Sequence, residues 1–238
     1  VVKIKSKKIQ NAYIHTLFSK RNKVFTFEDV KKASKLIRWY RFTLGHQMMV
    51  GLPESTKLDE INTAKALIKL KPKIVRIYPV LVIKDTPLEE EYKNKEYVPL
   101  TVEQAVETCK EIVDLFNKEK IEVIRIGLQN TEEITDPSDK NSQVVAGPYH
   151  PAFRQLVEGR LWYDAIVAEI KKINVKVMQV KIIANQENIN NIIGHKKENI
   201  SKLKEFYDVD VRVETSEEIK PGKFKIEIEK TYQDFLNN

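Results

Sequence analysis

The sequence predicts an α/β fold, with a parallel sheet covered by helices and a small α+β module after it. Three observations carry that expectation. From Phe27 to Leu128, short apolar strands alternate with helix-period segments, the rhythm of βαβ units with right-handed crossovers. Those strands are apolar along their length, as strands covered on both faces are. Residues 174–238 then change to a β-α-α-β-β order.

Each element has its own signal. Thr26 supplies an N-cap with Asp29 three residues on, and FEDVKKASKLIRWY (27–40) sets Val30, Ala33, Leu36, Ile37 and Tyr40 on one helical face. FTLGHQMMVGLP (42–53) is strand-like and runs into a Gly-Leu-Pro turn. Ser55 or Thr56 caps a helix over LDEINTAKALIKL (58–70), whose core face is Leu58, Ile61, Ala64, Leu67 and Ile68. Pro72 stops it, and IVRIY (74–78) is the next strand. A proline cannot donate to a ladder, so this strand should end at Tyr78, although the apolar run continues from Val80 to Ile83. Thr86 and Pro87 open a short acidic helix, so Glu89, Glu90 and Glu91 form a helix N-terminus rather than a metal site. VEQAVETCKEIVDLFNKEK (102–120) buries Val106, Ile112, Val113 and Phe116, with Cys109 near that face as a core thiol, and EVIRIGL (122–128) is a strand. Residues 129–150 are loop-rich, and AFRQLVEGRLWYDAIVAEIKKI (152–173) returns to a helical period. In the terminal module KVMQVKII (176–183), DVRVE (210–214) and KFKIEIE (223–229) are strands, while QENINNII (186–193) and ENISKLKEFY (198–207) are helical.

Composition narrows the function. A hydrophobic share of 42% with 32% charged residues suits a core-forming protein. No apolar run reaches the roughly 18 residues that a membrane helix needs, and one cysteine permits no intrachain disulfide, which suits the cytoplasm. The net charge of +7 is uneven. Lys3, Lys5, Lys7, Lys8, Lys20, Arg21 and Lys23 crowd the start, and Lys196, Lys197, Lys202 and Lys204 cluster late. Such asymmetry suits phosphate contacts with nucleic acid, or a solvated lysine surface. The chain begins Val1-Val2, so a piece of a longer protein is expected.

Ligands in parallel α/β sheets sit outside the carboxyl ends of the strands, where Gly51-Leu52-Pro53, Tyr78-Pro79 and Gly127-Leu128-Gln129 fall. GHQMMVGLPEST, KPKIVRIYPVLVIKDTPLEEEYKNKEYVPLTVEQAVE, VIRIGLQNTEEI and VVAGPYHPAFRQLVEGRLWYD follow one another in this order. Together they resemble the C-terminal half of radical-SAM proteins related to the Elongator catalytic subunit, in particular the bacterial versions that lack an acetyltransferase domain, strongly over residues 28–164 and less so over 165–229. The resemblance implies a partial (β/α) TIM-like barrel, the C-terminal half of a radical-SAM barrel, followed by the small module. It also implies S-adenosylmethionine and a [4Fe–4S] cluster in the parent family, with transfer RNA modified at a wobble uridine through a 5′-deoxyadenosyl radical. A cluster of this kind needs three cysteines, and the chain has one, so the N-terminal half of the barrel would have to supply them.

The resemblance places Gln47, Met49, Gly51 and Pro53 on the cofactor side. Arg76, Tyr78 and Lys84 would lie near the mouth, where a cation and a phenol can hold a phosphate or carboxylate, although a strand arginine can equally pair with a helix carboxylate. His150 either fixes the loop between Pro148 and Pro151 or serves the substrate, and Arg154 and Arg160 either contact RNA phosphate or form structural ion pairs. IIGHKKENI (192–200) sits between two helices and resembles the clamp loop of KH-type RNA-binding modules. Gly194, His195, Lys196, Lys197 and Asn199 would then be its RNA-binding residues, with Lys197 in place of the second glycine. The expected organisation is a divergent basic segment (1–26), half-barrel (27–128), an extension packing on it (129–173) and the KH-like module (174–238). A non-enzymatic RNA-binding protein is the rival expectation.

Overall fold

The computed structural model describes residues 2–3, 11–16, 26–129, 131 and 133–236. They form two compact units, Val1–Arg154 and Gln155–Asn238. In the first unit the elements run β1 (Val2–Lys3), β2 (Asn11–Thr16), α1 (Phe27–Trp39), β3 (Thr43–Val50), α2 (Lys57–Lys69), β4 (Ile74–Pro79), β5 (Val82–Ile83), α3 (Pro87–Lys93), α4 (Val102–Lys118), β6 (Glu122–Ile126) and β7 (Val144–Ala146). Its main sheet has the order β1-β2-β3-β4-β6, and every pair except β1-β2 is parallel. The alternating strand–helix pattern therefore gives the predicted parallel sheet, with its parallel strands in chain order as in the partial barrel that the resemblance implies.

Side-chain alternation divides this sheet into two chemistries. Leu44, His46, Met48 and Val50 of β3 are buried, as are their register partners Val75, Ile77 and Pro79 of β4. His46 meets Ser34 of α1, so this is the helix-covered face. Ala64 and Leu67 of α2, and Ala105, Cys109, Ile112 and Phe116 of α4, are buried with it. The opposite face carries Gln47, Met49, Arg76, Tyr78 and Arg125, all half-buried.

Capping boxes at Thr26–Asp29, Thr56–Asp59 and Thr101–Gln104 start α1, α2 and α4. Two helix faces differ from the expected ones. In α1 the buried stripe is Val30, Ser34 and Ile37, whereas Leu36 and Tyr40 are exposed and Ala33 is half-buried. Adjacent helical residues diverge by about 100°, so a stripe through Ile37 turns Leu36 outward. In α2 the stripe is Glu60, Ala64 and Leu67, leaving Leu58 in solvent. The sequence also offered no strand before Thr26, yet Asn11–Thr16 pairs in parallel with β3.

Pro79 is the last residue of β4, and the ladder survives it by one bond, Val80 N–H to the Val50 carbonyl at 2.8 Å. Beyond it Val82–Ile83 pairs with β7. Val80, Val82 and Tyr97 form a small core against Met49 and Leu52, so the apolar run does cross the end of the sheet. Thr86 caps α3, and Glu89 accepts from the Asp85 N–H at 2.9 Å while pairing with Lys93 at 2.8 Å. This acid serves the helix start, as expected.

The second unit contains most of α5 (Phe153–Ile170), then β8 (Val177–Ala184), α6 (Ile189–Ile193), α7 (Glu198–Tyr207), β9 (Asp210–Thr215), β10 (Phe224–Thr231) and α8 (Tyr232–Leu236). Its sheet has the order β10-β8-β9, with β9 parallel and β10 antiparallel to the central β8. The first turn of the predicted 186–193 helix is a 3-10 turn, Gln186–Asn188. Ile166, Val180, Ile182, Ile192 and Leu203 are fully buried between helices and sheet.

Candidate functional site

The strand registers assemble the candidate mouth. Gln47 lies beside Arg76, and Arg76 beside Arg125; one pleat nearer the carboxyl ends, Met49 lies beside Tyr78. Arg125 donates to the Gln129 side-chain oxygen at 2.9 Å. Arg125 was missed by sequence reasoning, although VRIY in β4 and IRIG at β6 carry arginine in the same phase. An extra residue in β6 between the Val75 and Arg76 partners keeps the two arginines on one face.

The Gly51 turn is held from both sides. Its N–H donates to Glu60 Oε1, and its carbonyl accepts from the Tyr97 hydroxyl at 2.6 Å. Gly51 has φ +87°, and a Cβ there would come within 3.0 Å of Leu100, so only glycine fits without strain. Burial raises the Glu60 carboxyl above the ordinary range, opposed by the Gly51 and Ser55 hydrogen bonds. Burial, with the Glu60 charge behind it, pushes the Tyr97 phenol up to about 12. Glu60 was legible in principle, as a charge at the i, i+4, i+7 stripe with Ala64 and Leu67. Pro53 is half-buried in the same turn.

The remaining mouth candidates separate. Lys84 donates its ammonium to the Ser142 carbonyl at 2.6 Å and its N–H to the Gln143 carbonyl, tying the end of β5 to the loop that leads into β7. A narrow cleft lies between Pro79, Gly127, Pro148 and His150. His150 Nδ1 accepts from the Ala152 N–H at 3.1 Å, the loop-fixing geometry, which leaves Nε2 as the protonated nitrogen of the neutral ring. Arg154 donates to the Ile124 carbonyl at 3.2 Å, whereas Arg160, in the second unit, pairs with Glu198 at 3.7 Å.

In the second unit Lys196 (φ 50°) and Lys197 (φ 65°) are consecutive left-handed residues, both exposed, leading into α7. His195 Nδ1 lies 3.4 Å from Gln155 Oε1. Asn199 turns inward and is 4% exposed. Its amide donates to the carbonyls of Gly159 (2.8 Å), Asn191 (3.0 Å) and Ile192 (3.2 Å). A Cβ on Gly194 would come within 2.8 Å of Asn199. Gly194 and Asn199 are thus a matched packing pair, and the two lysines are what the turn presents to solvent.

These placements can be compared with known proteins. Residues 72–163 match the Radical_SAM C-terminal domain, a stretch running from β4 into α5. Over those residues the chain is similar to the C-terminal domain of radical-SAM proteins. That domain includes Arg76, Tyr78, Lys84, His150, Arg154 and Arg160; Gln47, Met49, Gly51 and Pro53 precede it, and Gly194–Asn199 follow it. The chain is 35% identical over 103 residues to a tRNA uridine(34) acetyltransferase of Methanocaldococcus jannaschii, covering 42% of this chain and 19% of that protein. It is 33% identical over 83 residues to the tRNA uridine(34) acetyltransferase of Methanocaldococcus infernus, covering 34% and 16%. The chain thus spans less than a fifth of either relative. The solved archaeal M. infernus Elp3 with an N-terminal deletion superposes with a TM-score of 0.49 at 24% identity, over 63% of this chain and 32% of that one. The expected resemblance to radical-SAM proteins is thus matched by the family model over residues 72–163 and by partial similarity to the two tRNA uridine(34) acetyltransferases.

A [4Fe–4S] cluster, which such proteins imply, does not fit this chain's residues. Cys109 is its one cysteine. It is fully buried on α4, where burial pushes the thiol far above its ordinary range. Among the described residues no three His, Cys, Asp or Glu side chains converge as a metal site, and no helix is long and apolar enough to cross a membrane.

Proposed function

We propose that this chain is the substrate-side half of a radical-SAM barrel from a cytoplasmic enzyme that modifies transfer RNA at a wobble uridine. The observation that carries the reading is the inner row Gln47–Arg76–Arg125, with Met49–Tyr78 above it, opening at the Gly51 turn. Bound S-adenosylmethionine would supply the radical chemistry, with cluster ligands coming from other residues than these. Gln47, Met49, Gly51 and Pro53 form one wall of its site. Arg76, Tyr78 and Arg125 present two cations and a phenol to an anionic group of cofactor or substrate. His150 and Arg154 hold the rim by their backbone contacts. Alone, the chain is catalytically incompetent.

Reconstitution tests this. Purified chain supplied with iron and sulfide should show no visible cluster absorption, and the genomic frame upstream of Val1 should continue into a segment with three closely spaced cysteines. A stable cluster on this chain, or a stop codon and start codon at Val1, refutes the proposal.

The exposed Lys196-Lys197 turn favours a second activity, RNA backbone binding by a KH-like module. Asn199 acts there as the fastener that shapes the turn, and Gly194 as its close-packing partner. The double variant Lys196→Glu, Lys197→Glu should weaken transfer-RNA binding and flatten its salt dependence. Unchanged affinity and slope would remove this activity from the second unit.

A further inference from the structure

We propose that the end of the main sheet opposite the mouth is a second nucleic-acid surface, which takes single-stranded RNA by base stacking and phosphate pairing. It stands independently of the 194–197 turn. Two helix-to-strand turns build it. The end of α1 and its turn into β3 carry Lys35, Arg38 and Arg41, and the end of α2 and its turn into β4 carry Lys69, Lys71 and Lys73, all exposed. Arg38 donates to the Leu70 carbonyl at 2.9 Å and the Lys73 N–H to the Leu44 carbonyl at 2.9 Å, so the turns are adjacent. Among the described residues none of these six cations makes an ion pair with a carboxylate. There is no Asp or Glu from residue 30 to 53 or from 61 to 84. Glu122, whose N–H bonds the Lys73 carbonyl, marks the acidic border.

Between these cations stand the most exposed aromatic side chains of the first unit's described residues. Trp39 is 73% exposed and Tyr40 58%, with ring centroids 4.7 Å apart at 76°, beside Leu36 at 52%. A cation at a helix C-terminus is explained by the helix dipole, but an exposed tryptophan is not. Flat aromatic faces interleaved with unpaired cations are the arrangement that receives unstacked bases and their phosphates. Duplex RNA keeps its bases stacked, so a single strand is the occupant that uses both features.

The test titrates the full chain, in a Trp162→Phe background, with a short oligouridylate, so that Trp39 is the fluorophore. Trp39 emission should be quenched at saturation. With three or four phosphates engaged, the log–log salt slope should be about −2 to −3. Lys35→Glu with Lys69→Glu, both on helix surfaces, should lower affinity at least tenfold with the fold intact by circular dichroism. Trp39→Ala should lower affinity measured by filter binding, and Lys196→Glu with Lys197→Glu should leave the Trp39 quench unchanged. Absence of quenching overturns the proposal, as does a quench abolished by the 196–197 variant and untouched by the 35–69 variant. Self-association through this face, seen as a dimer that Trp39→Ala dissociates, overturns it in favour of a protein partner.

Discussion

Replacing His46 with leucine should flatten the acid side of the stability curve. The imidazole is fully buried between β3 and α1. Ser34 commits its hydroxyl hydrogen to the Val30 carbonyl at 2.7 Å, so its oxygen faces His46 Nε2 at 3.4 Å as an acceptor. The ring is then the Nε2–H tautomer, and Nδ1 is a bare lone pair without a partner among the described residues. Protonating Nδ1 would place an unpaired cation in the core. Burial, with the Arg38 charge second, accordingly lowers the group from 6.5 to about 4. As pH falls below 6.5 the unfolded chain takes up the proton and the folded chain does not, so stability is complete above that value and is lost towards 4. The interval between the two values corresponds to about 3 kcal/mol. Chemical denaturation at pH 7 and near pH 4, followed by circular dichroism, should show wild type losing about that much more than His46→Leu. Carboxylate contributions are common to both proteins and cancel in the difference. Equal losses in the two proteins would refute the buried, neutral imidazole.

Two further outcomes follow from the buried polar groups. Glu60 is raised by burial, so its ionisation costs the folded state and stability falls as pH rises from 4.5 through the folded value. Glu60→Gln, which keeps an acceptor for Gly51, should therefore be more stable than wild type at pH 7 and lose that advantage below about pH 4, as read by denaturation at both pH values. Asn199→Ala leaves three carbonyls short of a donor and should destabilise the second unit by about 2–4 kcal/mol. Hydrogen exchange in β8 and α7 would report it, and wild-type protection there would contradict the fastening role.

Periodicity exposed the fold where one face packs under helices. Strands β3, β4 and β6 turn Leu44, Met48, Val50, Val75, Ile77, Val123 and Ile126 to buried positions while the other face stays half-buried and partly polar. This is not the two-sided cover that their apolar character predicted. Helix α4 buries the predicted Val106, Ile112, Val113 and Phe116. It misled in α1 and α2, where both apolar and polar residues occupy helical stripes. Burying Ser34 and Glu60 while exposing Leu36 and Leu58 depends on which stripe meets the sheet, a tertiary choice that local pattern does not encode. The site divides in the same way. The resemblance put Gln47 and Met49 on the cofactor side and Arg76 and Tyr78 near the mouth; the strand registers add that the four share one face, and pairing Arg125 with Arg76 required a bulge that no turn residue signals. The inward amide of Asn199 was invisible for a related reason: its three acceptors, Gly159, Asn191 and Ile192, come from two segments far apart in sequence.

The double hold on Gly51 has a thermodynamic consequence for whatever enters the mouth. One peptide has both its donor and its acceptor engaged by buried side chains, Glu60 and Tyr97, before any ligand arrives. That stretch of wall has little conformational freedom left to surrender, so contacts made against it carry almost no ordering cost. The same engagement limits what it can offer: Gly51 contributes shape and close approach, and its hydrogen-bonding groups are already committed to the protein.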